Sequence, residues 1–124
     1  MPAYNFQAWK ASRVESGELT QTIRKKRKRP TVLGDIIYLY FGMRTKKCRK
    51  LGEGDCISVQ DFILYGRELF KIADIDIPAI PWGDGDKLAK KDGFDTWEDF
   101  VNFFEKEYGL PFLDAEIIRW RKTV

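Results

Sequence analysis

The sequence predicts an α+β fold, a small antiparallel β-barrel flanked by short helices. Segments with strand patterns outnumber those with helical periodicity, and turn signals separate successive strands, as in antiparallel pairing. The 124 residues are 44% apolar and 15% aromatic, enough to bury a core. We therefore expect a single domain over residues 1–124.

The first part of the chain predicts a strand, a short helix and a second strand. Apolar residues two apart predict a strand over Tyr4–Trp9. Lys10–Ser16 follows as a short helix that Gly17 terminates as a C-terminal cap. The alternating segment Leu19–Arg24 then predicts a half-buried strand.

The middle of the chain predicts three strands. Ile36–Phe41 is apolar on both faces and predicts a central, buried strand. The glycine-rich segment Leu51–Asp55 predicts a turn before a strand at Cys56–Tyr65. Glu68–Ile77 predicts the returning strand, with a bulge because its apolar residues do not alternate cleanly.

The last part of the chain predicts a connection, a helix and a closing strand. Ile77–Gly83 contains two prolines and predicts an extended connection. Thr96 is a good N-cap residue for a helix that ends at Gly109. Ala115–Trp120 predicts the final strand. The apolar stripe of the helix, which is typical of core packing, consists of Trp97, Phe100, Val101 and Phe104.

Positive charge is concentrated in two neighbouring segments. Residues 24–50 contain 11 Lys and Arg and one acid, Asp35, so they carry about +10, whereas the rest of the chain carries about −7 and the total is +3. Cations this dense repel one another unless they meet an anion, so they indicate an anion-binding face, whereas a merely solubilising surface mixes both signs. The predicted nucleic-acid-binding residues are Arg24, Lys25, Lys26, Arg27, Lys28, Arg29, Arg44, Lys46, Lys47, Arg49 and Lys50.

The composition argues against several classes of function. The chain has no histidine and only two cysteines, Cys48 and Cys56, so we expect no zinc site, no other metal site and no cofactor. Ser-His and Cys-His nucleophilic catalysis are excluded by the same absence. We found neither a secretory signal nor a membrane-length apolar run, so we expect a cytoplasmic protein that does not enter the membrane.

Several short motifs follow one another in a fixed order. They are Thr20-x-Thr22-Ile23-Arg24 after a short helix, Gly34-Asp35 before an apolar strand, Arg44-Thr45-x-x-Cys48-Arg49, Asp92-Gly93-Phe94, Phe103-Phe104, Tyr108-Gly109 and Ile117-Ile118-x-Trp120. In this order and spacing the chain resembles the ASCH domain of the PUA-like superfamily, as found in phages and their prokaryotic hosts. The resemblance extends from about Phe6 to Trp120.

The resemblance implies a PUA-like β-barrel with a cleft between barrel and helices, and a role in handling RNA or nucleotides. Arg24 would be the anchoring cation in that cleft. A structural salt bridge from Arg24 to a carboxylate such as Asp92 is the alternative. The leading prediction is a monomeric, non-catalytic RNA-binding or nucleotide-binding module in a prokaryotic or phage-infected cell, with no protein partner assigned.

One branch of the family consists of small amidohydrolases that deacetylate N4-acetylcytidine. Carried over residue by residue, the threonine of that branch falls on Thr22 and its glutamate on Asp92, which are the catalytic candidates if the chain is an enzyme. The lysine position falls on Leu19, and a leucine cannot take a proton from a hydroxyl. The sequence therefore favours binding over hydrolysis of a modified nucleoside or of RNA.

A third interpretation concerns the basic run alone. Lys25–Arg29, followed by Pro30, also has the composition of a nuclear import signal or a protein-docking loop. Because the motifs resemble those of prokaryotic and phage proteins, the sequence favours polyanion binding over import.

Overall fold

Seven strands form one sheet that curls into a half-barrel, and three helices accompany it, within the part of the chain that the structure describes. The structure is a computed structural model and describes residues 2–79 and 83–123. The elements, in chain order, are β1 Ala3–Phe6, α1 Ala8–Ser16, β2 Gln21–Lys25, β3 Ile36–Phe41, β4 Arg49–Leu64, β5 Leu69–Ile72, β6 Ile75–Pro78, α2 Asp84–Lys91, α3 Trp97–Tyr108 and β7 Phe112–Thr123. The predicted mixture of a barrel-like sheet and short helices is confirmed.

The sheet is antiparallel except for one pair. Its strand order is β1-β3-β4-β5-β6, and β7 pairs with both β4 and β2. β1 pairs with β3 in parallel, so the prediction of a wholly antiparallel sheet is wrong there. The chain leaves β1 through α1 and β2 before it returns as β3, which is the crossover connection that parallel neighbours need.

Two apolar cores lie on the two faces of the sheet. One contains Phe62 and Ile117 together with α2 and α3 residues such as Phe100. The other contains Ile118 and Trp120 together with residues of β1, α1 and β3. Successive residues of β7 enter different cores because neighbouring side chains of a strand point to opposite faces.

Residues at the helix ends correctly predicted where α1 ends and where α3 begins and ends. Gly17 adopts the left-handed conformation with a φ of 85° and caps α1. The Thr96 side chain accepts a hydrogen bond from the Asp99 backbone N–H at 3.1 Å, and Gly109 follows α3. α2 was not predicted; its acidic first turn and the basic residues of its last turn, Lys90 and Lys91, complement the helix dipole.

The prediction of a turn at Leu51–Asp55 is wrong, because these residues lie within strand β4. A Cβ atom on Gly54 would lie 2.5 Å from Trp120 Cδ1, so glycine is needed there for the approach of Trp120 rather than for a turn. The predicted strand Glu68–Ile77 is instead the hairpin of β5 and β6, with Ala73 at a φ of 54° between them.

Two other strand predictions also need correction. β3 has the predicted bounds, but only one of its faces is buried: Ile37 and Leu39 are inaccessible, whereas Ile36 is 41% exposed. The first strand ends at Phe6 rather than Trp9, because α1 begins at Ala8. Of the predicted connection at 77–83, residues 80–82 lie outside the described residues. No helix in the described ranges is long and apolar enough to cross a membrane.

Candidate functional site

A cleft of about 210 Å³ lies beside strand β2, where β1, α1 and α3 approach it. β2 pairs with β7 along one edge, and no described strand pairs with its other edge. Three consecutive β2 residues line the cleft, which therefore runs along this edge. We call this cavity the main cleft; it is lined by Asn5, Phe6, Gln7, Lys10, Thr22, Ile23, Arg24, Asp92, Phe103, Phe104, Glu107 and Tyr108.

Arg24 is fixed in the wall of the main cleft by neutral groups. Its Nε donates to Thr22 Oγ1 at 2.8 Å, and its Nη2 donates to the Asn5 carbonyl oxygen at 2.6 Å. The guanidinium also lies 5.0 Å from the centre of the Phe6 ring. Burial lowers the pKa of Arg24, which shows that its charge is incompletely solvated.

Asp92 forms its ion pair with Lys10 rather than with Arg24. Lys10 Nζ lies 3.5 Å from Asp92 Oδ2, and the two side chains are 11% and 1% exposed. Arg24 has no carboxylate within ion-pair distance among the described residues, so the salt bridge considered as an alternative is wrong. Among the described residues Arg24 therefore has no ion-pair partner, although the Asp92 carboxylate attracts its charge from a greater distance.

Lys10 is held in an aromatic surrounding. Its ammonium lies 4.5 Å from the centre of the Phe94 ring and 4.9 Å from that of Trp9, distances that suit cation–π attraction. Burial lowers the pKa of Lys10, although the nearby Asp92 carboxylate acts in the opposite direction. The amine therefore loses its proton more readily than a surface lysine does.

Burial also changes the titration of Asp92. Desolvation raises its pKa to about 6, and the charges of Lys10 and Arg24 oppose that rise. Asp92 Oδ1 and the nearby Gln21 Nε2 are both buried without a hydrogen-bond partner. Hydrogen bonding by the Gln21 side chain also opposes the rise in the pKa of Asp92, so Gln21 is the neighbour placed to donate to this buried carboxylate.

Tyr108 supplies an aromatic face to the main cleft. Its ring is stacked on Phe112, with 4.2 Å between centroids and 6° between planes, and the side chain is 44% exposed. A rigid, partly exposed ring is the kind of surface on which a nucleobase stacks.

Each of the two basic segments contains both paired and unpaired cations. Lys26 pairs with Asp61 at 2.7 Å, Arg49 with Glu15 at 2.6 Å and Lys50 with Glu53 at 2.5 Å. Arg27 lies 5.7 Å from the centre of the Tyr4 ring. The exposed cations of these segments that form no ion pair with any described residue are Lys25, Arg27, Lys28, Arg29, Arg44, Lys46 and Lys47.

Asn5 connects the second basic segment to the main cleft. Its Oδ1 accepts from the Met43 backbone N–H at 2.9 Å, at the start of the loop that carries Arg44. Its carbonyl oxygen holds Arg24. The first basic segment continues directly from Arg24, so both segments begin at the rim of the same cleft.

The structure brings Thr22, Arg24 and Asp92 together, as the resemblance implied, and adds Lys10, which the sequence did not indicate. Leu19, at the position of the family's lysine, is buried in the core instead. The available signal was the position of Lys10 four residues before Val14, on the buried face of α1. Tyr108 belongs to one of the motifs on which the resemblance rests, but it is not among the predicted site residues.

The described residues contain no group of three or more side chains suited to hold a metal ion. The fold and site define a mixed α/β half-barrel with a cationic, aromatic cleft. No protein-family model matches the chain, and no curated protein sequence or solved structure matches it either.

Proposed function

We propose that the chain is a PUA-like, ASCH-related module that binds single-stranded RNA or a nucleotide in the main cleft. The observation that carries the proposal is Arg24, which donates to neutral oxygens, forms no ion pair with any described carboxylate and lies beside the start of both basic segments. A partly buried charge without a counter-charge is costly, and an anionic ligand offsets that cost.

The parts of a nucleotide have matching groups in and around the main cleft. A phosphate suits the guanidinium of Arg24, whose N–H donors form short, charge-assisted hydrogen bonds. A base can stack on the partly exposed ring of Tyr108. The free cations of the two basic segments would then contact phosphates on either side.

The proposal is tested by comparing free with paired cations. We expect a labelled single-stranded RNA to bind at low salt and to be released as salt rises. Lys28 and Arg29 are both replaced by glutamine. The slope of log affinity against log salt concentration should then become less steep by about 1.4, because each lost phosphate contact contributes about 0.7 to that slope. Binding is measured by fluorescence anisotropy at several salt concentrations.

The matched control neutralises Arg49 and Lys50 to glutamine. It removes the same net charge, but both residues already have carboxylate partners, so a smaller change in slope is expected. No binding of the wild-type protein at low salt would contradict the proposal. Equal slopes for the two variants would show that overall charge, rather than these positions, determines binding.

Lys10 favours a second candidate, hydrolysis of an acylated nucleoside such as N4-acetylcytidine. A lysine with a lowered pKa, a hydroxyl and a buried carboxylate line one cavity. In such a reaction the neutral Lys10 amine would accept the Thr22 proton while Thr22 Oγ attacks the acyl carbonyl. The base amine would leave with that proton, and water would then release the acid from Thr22.

This candidate predicts turnover that depends on the hydroxyl at position 22. Thr22→Ala should abolish release of acetate from N4-acetylcytidine, whereas Thr22→Ser should retain part of it. Products are separated by chromatography, and each RNA used for binding is examined for cleavage in the same way. Failure of the folded wild-type protein to form product from either substrate would exclude hydrolysis and leave the binding proposal standing.

A further inference from the structure

A second cationic cleft, of about 390 Å³, lies on the other side of the Asp92–Gly93 turn. No part of it belongs to the two basic segments. We call it the second cleft; it is lined by Arg13, Glu18, Leu19, Thr20, Gln21, Lys90, Lys91 and Arg119. Four of these residues are cations and one is an acid.

Arg119 gives the second cleft a fixed, half-buried charge. Its Nε donates to Gln21 Oε1 and its Nη1 donates to Gln60 Oε1, both at 3.0 Å. Both partners are neutral amides, and no described carboxylate lies within ion-pair distance of Arg119. Among the described residues, neutral groups thus orient this guanidinium and no carboxylate pairs with it.

The remaining charges leave the second cleft positive. Glu18 is already paired with Arg13 at 3.1 Å. Lys90 and Lys91 are exposed in the last turn of α2, where the helix dipole favours cations. The dipole accounts for these two lysines, but it does not account for Arg119, which lies on a strand.

The two clefts are neighbours along the same two elements. On α1, Lys10 lines the main cleft and Arg13 lines the second, three residues or about 4.5 Å further along the helix. On β2, Thr22 lines the first and Gln21 the second, and because these neighbouring side chains point to opposite faces of the strand, the clefts meet around its free edge. The carbonyl of Gly93, the residue after Asp92 of the main cleft, accepts a hydrogen bond from Arg13 Nη1 of the second cleft at 3.0 Å.

We propose that the second cleft binds a phosphate of the same RNA strand whose nucleotide occupies the main cleft. This inference rests on the proposed function and extends it: the ligand is an oligonucleotide rather than a mononucleotide. Arg119 is the anchoring cation, and Lys90 and Lys91 form the outer wall.

The test compares ligands of two lengths. Uridine monophosphate has a single phosphate and cannot occupy both clefts at once, whereas a single-stranded oligouridylate of about ten nucleotides is long enough to reach both. Reversing Lys90 and Lys91 to glutamate should weaken binding of the oligonucleotide about tenfold and leave binding of the monophosphate unchanged. Arg119→Gln should act in the same direction.

Lys71→Glu is the control, because Lys71 lies on β5 and lines neither cleft. It measures how much reversing one charge away from both clefts weakens RNA binding. Equal loss of both ligands in the Lys90 and Lys91 variant, or loss of neither, would overturn the inference. Both lysines are exposed, so this variant remains informative even if Arg119→Gln does not fold. If the wild type binds neither ligand, the proposed function fails and this inference fails with it.

A titration with inorganic phosphate distinguishes the strand from a free anion. We expect phosphate alone to bind weakly and to leave the length dependence of RNA binding in place. If phosphate binds the second cleft at low concentration while the oligonucleotide gains nothing over the monophosphate, the cleft serves a small anion and the inference is overturned.

Discussion

Lys10→Met is expected to destabilise the fold by about 3–5 kcal/mol at neutral pH, because it leaves the Asp92 carboxylate buried without its cationic partner. Lys10 is the residue that pairs with Asp92, and Arg24 is the other charged group that lowers the pKa of Asp92. Methionine keeps the length and apolar contacts of the side chain, so the loss reports on charge. Urea unfolding followed by circular dichroism measures it.

The destabilisation should depend on pH in a defined direction. The pKa of Asp92 rises from an ordinary value of 3.8 to about 6 on folding, so the folded protein binds this proton more tightly than the unfolded chain. The contribution of Asp92 to the free energy of unfolding is therefore largest below pH 3.8, and it is lost as the pH rises through about 6. Removing the Lys10 charge raises the pKa of Asp92 further, so the variant should recover stability in mild acid.

Arg13→Met is the matched control, one turn along the same helix. Arg13 pairs with the largely exposed Glu18 and also donates to the Gly93 carbonyl, so the loss should be about 1–2 kcal/mol and nearly independent of pH. An equal loss for Lys10→Met in mild acid and at neutral pH would show that packing, not the buried carboxylate, is responsible.

Arg24→Gln is expected to weaken RNA binding by about 10-fold to 100-fold without weakening the fold. A hydrogen bond to a charged group contributes about 1.5–3 kcal/mol, which corresponds to that range of affinity. The stability of the fold should change little, because burial disfavours the charge of Arg24 while its hydrogen bonds and the attraction of Asp92 favour it. Anisotropy titrations and urea unfolding of the same samples measure the two effects.

Arg24→Lys separates charge from geometry. A lysine keeps the charge but cannot donate to both Thr22 and Asn5 from a planar group, so we expect only partial recovery of affinity. Wild-type affinity in Arg24→Gln would contradict the role given to this residue. A large loss of stability in the same variant would instead assign Arg24 a structural role.

The features predicted correctly from the sequence are those that depend on nearby residues. Gly17 and Thr96 act on the helix ends next to them, so their identity was enough. Gly54 was misinterpreted because its cause is Trp120, which is distant in the sequence and reaches β4 only in the folded sheet. The parallel pairing of β1 with β3 likewise depends on how the whole sheet is assembled.

The same distinction applies to the candidate site. Thr22, Arg24 and Asp92 were named from motifs, and the structure places them in one cleft. Lys10 was missed because only the tertiary fold brings α1 to Asp92, 82 positions along the chain. The roles of these residues, and of the predicted cations that turn out to be paired, remain predictions.

β7 also determines when the fold can form. Its Arg119 bonds to Gln21 and Gln60 across 98 and 59 positions of sequence, and its Ile117 and Ile118 enter different cores. Contacts between such distant segments form slowly, because long loops must close first. During synthesis neither core can be completed before β7 leaves the ribosome. Until then, the apolar side chains of the earlier strands remain partly exposed to solvent.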